Sequence, residues 1–382
     1  MKGIRRLLGF TIILLAYVGI NFYVGVHGAI WLRAMNGMES QWNVYYWGIF
    51  AFIAFSYLIA QGITGPSSGL LRWIGSYYFA VLQYAVLFLP LLDLVVWILS
   101  LAGLPTNEYI SLIGCVVLLG MMGILLWGSF NNWSPVIRPY SITIDKKAGE
   151  RSGLRIMTVS DIHLGYIIGN GYLKKLINKS KELKPDIILI PGDILDGDIE
   201  PFKRKKMAET LSSLQAPMGT YAVLGNHEYY GGTIEEFIKL VEEAGITMLQ
   251  DQSVKIDESF YLVGRKDKTA EISPAGRENV AELVESLDQT KPIFLLDHQP
   301  YHLDKAASAG VDLMLSGHTH RGQMAPNHLI TSRLFELDYG YKLKDTMHAI
   351  VSSGYGSWGP PIRIGSRSEI LQIDVTFTGK DG

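Results

Sequence analysis

The chain has 382 residues, 48% of them hydrophobic, a charged fraction of 18% and a formal net charge of −2. A soluble domain carries about 25% charged residues, yet residues 1–132 hold only eight charged side chains while the remaining 250 residues hold 62. Two solvents are written into one sequence, which excludes a single soluble globule and a disordered chain. The lone Cys115 excludes an internal disulfide framework, and the near-neutral charge gives no footing for nucleic acid.

Uncharged stretches run over 7–32, 40–71, 73–92 and 109–137. A helix crosses the hydrocarbon core with roughly 20 apolar residues, so residues 1–132 read as a transmembrane helical domain with spans at about 7–31, 43–63, 74–100 and 109–130. Trp31, Trp42, Trp73 and Trp127 sit near span ends, where indole rings favour the interface. Pro90 and Asp93 interrupt the third span, and a carboxylate at that depth is by default a functional suspect. The plainer reading of Asp93 is a hydrogen bond to a neighbouring helix.

Lys2, Arg5 and Arg6 precede the first span, Arg72 separates the second and third, and Arg138, Lys146 and Lys147 follow the fourth. The positive-inside rule places these groups, and with them the C-terminal region, in the cytoplasm of a multi-pass protein of the cell membrane. The alternative is extracytoplasmic, with the first stretch acting as an export signal. Its apolar run is too long for a signal peptide, and no clear small-residue cleavage site follows.

After a linker at 133–150 the pattern changes. Apolar runs at 154–160, 186–190, 220–224, 292–296 and 311–316 read as buried strands, and 171–184, 201–215, 233–244 and 275–288 as helices. Further strands are expected at 349–353 and 369–377. The alternation predicts an α/β domain over 151–382 with much parallel pairing, and a second sheet is plausible.

Each of the five core strands ends in groups that can bind a cation: Asp161 and His163, Asp193, Asn226 and His227, Asp297 and His298, then His318 and His320. In open α/β sheets this edge is where ligands bind. Gly192, Gly225 and Gly317 each directly precede one of these groups, as a tight turn or close backbone approach requires. Carboxylate, imidazole and amide donors together suit Mn²⁺, Fe²⁺ or Zn²⁺. These groups exceed what one ion takes, whereas two ions sharing a carboxylate would use seven of them.

Together, Asp161-x-His163, Gly192-Asp193-x-x-Asp196, Gly225-Asn226-His227-Glu228, His298 and Gly317-His318-Thr319-His320 resemble the calcineurin-like metallophosphoesterase signature. Within that family the chain looks most like the bacterial membrane-associated branch with an N-terminal multi-pass segment. The resemblance implies a four-layer αββα sandwich and two divalent metal ions per chain. One ion would be held by Asp161, His163 and His320, the other by Asn226, His298 and His318, with Asp193 bridging. It also implies that His227 is a catalytic residue that contacts the phosphate and protonates the leaving group. Glu228 reads as solvent-facing or structural, with a supporting contact behind the metal ligands as the alternative, and Asp196 as a capping or orienting residue. Many relatives have Gly after the final histidine, where this chain has Arg321. Arg321, Trp358 and Arg363 are candidate substrate contacts; Arg321 could equally pair with a nearby carboxylate, and the turn-rich loop at 354–363 that carries the last two reads equally as a packed structural loop.

These features lead to the expectation of a membrane-anchored hydrolase of phosphodiester, phosphomonoester or pyrophosphate bonds. Lipid-linked phosphoesters are a reasonable substrate class beside soluble ones. No protein partner is expected. The alternative is a non-catalytic metal-binding sensor or scaffold, but every position that such a protein would be expected to lose is intact.

Overall fold

The structure is a computed structural model that describes residues 2–36, 41–63, 65–103, 106–274 and 276–379. It divides into two compact units, Met1–Gly128 and Ser129–Gly382.

The first unit is built from four helices, α1 (Lys2–Asn36), α2 (Trp42–Gln61), α3 (Pro66–Leu101) and α4 (Thr106–Trp133), the last of which runs on into the second unit. All four are long and apolar enough to cross a membrane, with apolar side chains such as Leu15, Ile49, Leu91 and Leu119 exposed on their outer faces. That is the surface a bilayer, rather than water, would cover. Some polar side chains in the interior pair with one another or with backbone: Tyr78 donates to Asn21 Oδ1, and the Tyr46 hydroxyl to the Gly25 carbonyl at 2.7 Å. Contrary to the sequence expectation, Pro90 does not interrupt α3, which continues through it to Leu101. Neighbouring helices can re-satisfy the carbonyl that a proline frees.

The second unit holds two six-stranded sheets. The first is ordered β1 (Val136–Ile144), β12 (Glu369–Phe377), β2 (Gly153–Thr158), β3 (Ile187–Pro191), β4 (Thr220–Val223) and β5 (Thr247–Met248). The second is ordered β10 (Gly340–Lys344), β11 (Met347–Val351), β9 (Leu313–Ser316), β8 (Ile293–Leu296), β7 (Phe260–Gly264) and β6 (Gln252–Ile256). The central pairs β2–β3–β4 and β7–β8–β9–β11 are parallel. Antiparallel pairing is confined to β12–β2, β6–β7 and β10–β11.

Side-chain alternation explains the layering. Successive residues of a strand face opposite sides, so Ile187 and Leu189 enter the core between the sheets while Ile188 and Ile190 face outward. On the first sheet's outer face these meet α5 (Asn170–Leu183), α6 (Ile199–Arg204), α7 (Met207–Leu211) and α9 (Ile234–Glu243) through Leu173, Phe202, Met207 and Phe237. A short helix, α8 (Asn226–Gly231), follows β4. On the other sheet, Phe294 and Leu296 join the central core, while Ile293 and Leu295 pack on α10 (Val280–Glu285) and α11 (Leu303–Ser308). The last helix is α12 (His328–Leu334). Strands buried on both faces read as unbroken apolar runs, and the sum is the expected four-layer αββα sandwich.

Two expectations are corrected. The supposed linker at 133–150 carries β1, paired in parallel with β12 from Val136↔Glu369 to Ile144↔Phe377. Before it, the Asn132 carbonyl accepts hydrogen bonds from Tyr172 and Ser368, and the Trp133 ring packs edge-on against Tyr172. The helix expected at 201–215 is two short ones, broken where Lys206 adopts a left-handed conformation (φ 50°).

Candidate metal centre

The sequence expected five strand ends to converge, and the structure brings them together. His320 Nε2 lies 3.4 Å from Asp161 Oδ1 and 3.0 Å from His163 Nε2. Asp193 Oδ2 lies 3.1 Å from His298 Nε2 and 3.8 Å from His163 Nε2, so it stands between the two halves of the cluster. On the far side, Asn226 Oδ1 is 3.1 Å from His298 Nε2 and 2.8 Å from His318 Nδ1. The ligand atoms of Asp161, His163 and His320 form one group that could hold a metal, and those of Asp193, His298 and His318 another.

The loops after the strands are built for this convergence. Asp161, His163, Asp193, His318 and His320 all have φ between 49° and 71°, a region costly for residues with a Cβ. Strain of this kind is retained where the surroundings over-determine it. A Cβ on Gly225 would lie 2.2 Å from Asp193 Oδ1, and one on Gly317 would lie 2.2 Å from Asp161 Oδ2. Both glycines are therefore required by close approach.

Hydrogen bonds around the cluster fix the ligand atoms. His298 Nδ1 is 2.8 Å from the Pro191 carbonyl, which places a proton on Nδ1 and aims Nε2 at Asp193 and Asn226. Asp161 Oδ1 accepts from the His318 amide at 2.9 Å, and Asp193 Oδ1 from the His227 amide at 2.9 Å. Asp297, beside His298 in sequence, points away and is held by Arg265 and Arg277.

Electrostatics agree with a cation site. Burial holds His163 and His320 well below the ordinary imidazole range, so both present neutral rings whose Nε2 atoms face each other. Burial opposes charge on Asp193, but the facing imidazoles of His298, His163 and His227 hold its carboxyl far below the usual range. Burial opposes charge on His298 as well, and the Asp193 carboxylate outweighs it. Burial, offset in part by His298, raises Asp161 to about 6. Converging neutral nitrogens and buried carboxylates are a donor set that a divalent cation reconciles.

His227 stands at the rim, its Nδ1 3.4 Å from Asp196 Oδ1 and its ring stacked edge-on at 4.6 Å from His163. Burial pushes its pKa down, but Asp196, Asp193 and Glu228 together raise it to about 9. Asp196 thus faces this imidazole, and its Oδ1 also lies 3.6 Å from His163 Nδ1. Glu228 is buried rather than solvent-facing, and accepts from the Leu195 and Gly225 amides at 2.8 and 2.7 Å.

The three candidate substrate contacts part company. Trp358 is exposed, and the Arg321 guanidinium lies over the Tyr339 ring at 4.7 Å. Arg363 is corrected: it is fully buried, donates to the Ser353 and Gly356 carbonyls and faces His320 Nδ1 at 3.3 Å. Its role is to hold the loop behind His320, because no surface of the guanidinium is left for a substrate. Sequence reading left both roles open, since the Gly- and Pro-rich signal of 354–363 is the same for a surface loop and a packed one.

Fold and site together define a phosphoesterase-type αββα sandwich with a carboxylate–histidine cluster at the strand ends. Residues 154–322 match the family model described as calcineurin-like phosphoesterase. The chain is 32% identical to a metallophosphoesterase of Aquifex aeolicus over 64% of this chain and 92% of that one, and 31% identical to one of Campylobacter jejuni over 76% and 78%. A Danio rerio transmembrane protein with a metallophosphoesterase domain is 31% identical over 63% of this chain; the match spans 57% of that protein's length. The chain belongs to the calcineurin-like phosphoesterase family, and four helices able to span a membrane precede its phosphoesterase domain.

Proposed function

We propose that this chain is a membrane-anchored phosphoesterase that works through a dinuclear metal centre and hydrolyses phosphodiester, phosphomonoester or pyrophosphate bonds. The observation that carries the reading is Asp193, a buried carboxylate placed between two sets of nitrogen and oxygen donors. Asp161, His163 and His320 would hold one ion, Asn226, His298 and His318 the other, and Asp193 both. Mn²⁺, Fe²⁺ and Zn²⁺ all suit this donor set.

Two ions bound there supply Lewis-acid stabilisation of the phosphoryl oxygens and favour ionisation of an attacking water. The protein's own residues do the rest. His227, protonated at neutral pH, donates a hydrogen bond to a phosphoryl oxygen and gives its proton to the leaving oxygen. Asp196 holds the ring in that orientation through Nδ1. Arg321, next in sequence to His320, and the exposed Trp358 would meet the remainder of the substrate. Four spans favour lipid-linked phosphoesters, and the basic residues flanking them favour a cytoplasmic catalytic domain.

The test is metal content and bis(p-nitrophenyl) phosphate hydrolysis by the full chain beside its Asp193→Ala variant. The expectation is about two transition-metal ions per chain in the wild type, with turnover at least about 10³-fold lower in the variant. Undiminished turnover in Asp193→Ala would overturn the assignment.

A further inference from the structure

Asp93, the carboxylate within the third span, is paired inside the first unit: it accepts from the Tyr23 hydroxyl, and its Oδ1 lies 2.7 Å from His27 Nε2. The second unit carries a feature that neither its fold nor hydrolysis uses. Among the described residues, every other helix that begins in this unit buries side chains, whereas α12 buries none. Its Leu329, Ile330 and Leu334 are between 50% and 66% exposed. At about 100° per residue these three fall within an arc of about 140°, with the exposed Arg333 inside it. They make one apolar face of an amphipathic helix, open to its surroundings.

What those surroundings are follows from the chain's own path. α4 is long and apolar enough to cross a membrane, and its last turn, from Ser129, belongs to the second unit. Two cations close that end. Lys175 Nζ lies 3.2 Å from the Trp133 carbonyl, and Arg367 donates to the Ser134 carbonyl at 2.7 Å with its guanidinium over the Phe130 ring at 5.3 Å. Basic and aromatic side chains at the end of a span mark the level of the lipid headgroups. From there a chain of hydrogen bonds leads to α12. Asn131 Nδ2 donates to the Arg363 carbonyl at 3.1 Å. The next residue, Ile364, donates to the Gln323 carbonyl at 2.9 Å and accepts from the Ala325 amide at 2.8 Å. α12 begins three residues after Ala325, at His328. The carbonyl of the exposed Trp358 accepts from Gln323 Nε2 at 3.1 Å. The end of α4, Trp358 and the apolar face of α12 thus share one hydrogen-bonded edge of the second unit.

We propose that this edge rests on the bilayer that anchors the chain, with Leu329, Ile330, Leu334 and Trp358 entering the boundary between headgroups and acyl chains. An apolar helix face lies in a membrane surface at that depth, and Arg333 can keep its guanidinium among the headgroups while its stem follows the apolar side chains. A partner protein would also cover the face, but the bilayer is the apolar phase that the chain itself brings to this edge. Phe335, directly after α12, packs edge-on against His318 at 5.9 Å, so a docked α12 holds the carboxylate–histidine cluster beside the lipid surface. Phosphoesters at headgroup level would reach the cluster without leaving the bilayer. The proposal rests on the membrane-anchored reading above and not on hydrolysis.

The test uses the full chain carrying Cys115→Ser, in nanodiscs of phosphatidylcholine and phosphatidylglycerol that each hold a single chain. Leu329→Cys, Ile330→Cys and Leu334→Cys are labelled one at a time with an environment-sensitive fluorophore. Thr290→Cys, exposed in the turn before β8 and so at the opposite end of that strand from the cluster, is the water-facing control. Leu15→Cys, on the outer face of α1, reports the anchor. Lipids with a nitroxide along the acyl chain should quench the α12 labels at least about threefold more than the Thr290 label, and iodide should quench them less. Ile330→Glu should release the Leu334→Cys label from lipid quenching, with the unfolding midpoint of every variant checked against the wild type. Labels on α12 that respond to iodide as the Thr290 label does would overturn the proposal. Protection from both quenchers would mean that protein covers the face, and would overturn it as well. A Leu15 label untouched by the nitroxide lipids would reject the anchor itself, whereas quenching at Leu15 without quenching on α12 would reject only the docking. Turnover enters none of these readings, and Asp193→Ala tests it separately.

Discussion

At His227 two opposing effects meet. Burial disfavours the imidazolium, while Asp196, Asp193 and Glu228 favour it and raise the pKa to about 9. The protonated ring is the form a general acid needs, so His227→Ala is expected to lower turnover by about 10²–10⁴-fold, measured at saturating substrate with metal content unchanged. Unaltered turnover would assign the leaving-group proton elsewhere. The sign of the pH dependence follows. Because the folded value lies above the roughly 6.5 of an unfolded histidine, the stability His227 contributes is complete below about pH 6.5 and is lost as pH rises through about 9. Turnover should fall over the same alkaline limb. Removing the Asp196 charge lowers the folded value, so Asp196→Asn should move that limb to lower pH by about one unit. A kcat–pH profile of the variant that overlays the wild type would show that Asp196 does not tune this ring.

Strand ends concentrate the chemistry, and they also explain what was legible. The strands carrying the cluster lie inside the sheets and are largely buried, so β2, β3, β4, β8 and β9 stand out as mainly apolar runs followed within a few residues by an Asp, Asn or His. β1, β6 and β10 alternate between buried or half-buried and exposed positions at sheet edges, and no such run marks them. Asp297 and His298 were inseparable by spacing. Strand alternation sends one to Arg265 and Arg277 and the other to Asp193, and only packing shows which. The glycines were legible as tight points, but not what they make room for. Gly225→Ala would set a methyl 2.2 Å from Asp193 Oδ1, so the Asp193 carboxylate must shift. The variant is expected to keep its far-ultraviolet circular dichroism and lose most of its bound metal, read by elemental analysis after dialysis. Full metal retention would mean that the loop can relax around the methyl.

On the scale of the whole chain, composition separates the two units near residue 130 but cannot say where the second one begins to fold. A domain begun at 151, as the sequence suggests, would omit β1 and the last turn of α4. Both belong to the second unit. Ile142 and Ile144 on β1 sit in the core between the sheets, and the Asn132 carbonyl accepts from Tyr172 and Ser368. Without β1, β12 becomes an exposed sheet edge with its ladder groups unpaired. Burying each isoleucine contributes about 1.5–3 kcal/mol, and about 1 kcal/mol shifts the midpoint of a domain this size by roughly 2–4 °C. A fragment spanning 129–382 is therefore expected to unfold cooperatively with the metal-dependent stability of the full chain. One spanning 145–382 should melt at least about 10 °C lower or aggregate through the bared strand. Thermal scans of the two fragments, each with and without a chelator, separate the contributions. Bound metal stabilises only the folded state, so a chelator should lower the midpoint of the longer fragment. Equal midpoints for the two fragments would place the folding boundary after β1 and return 133–150 to the role of a linker.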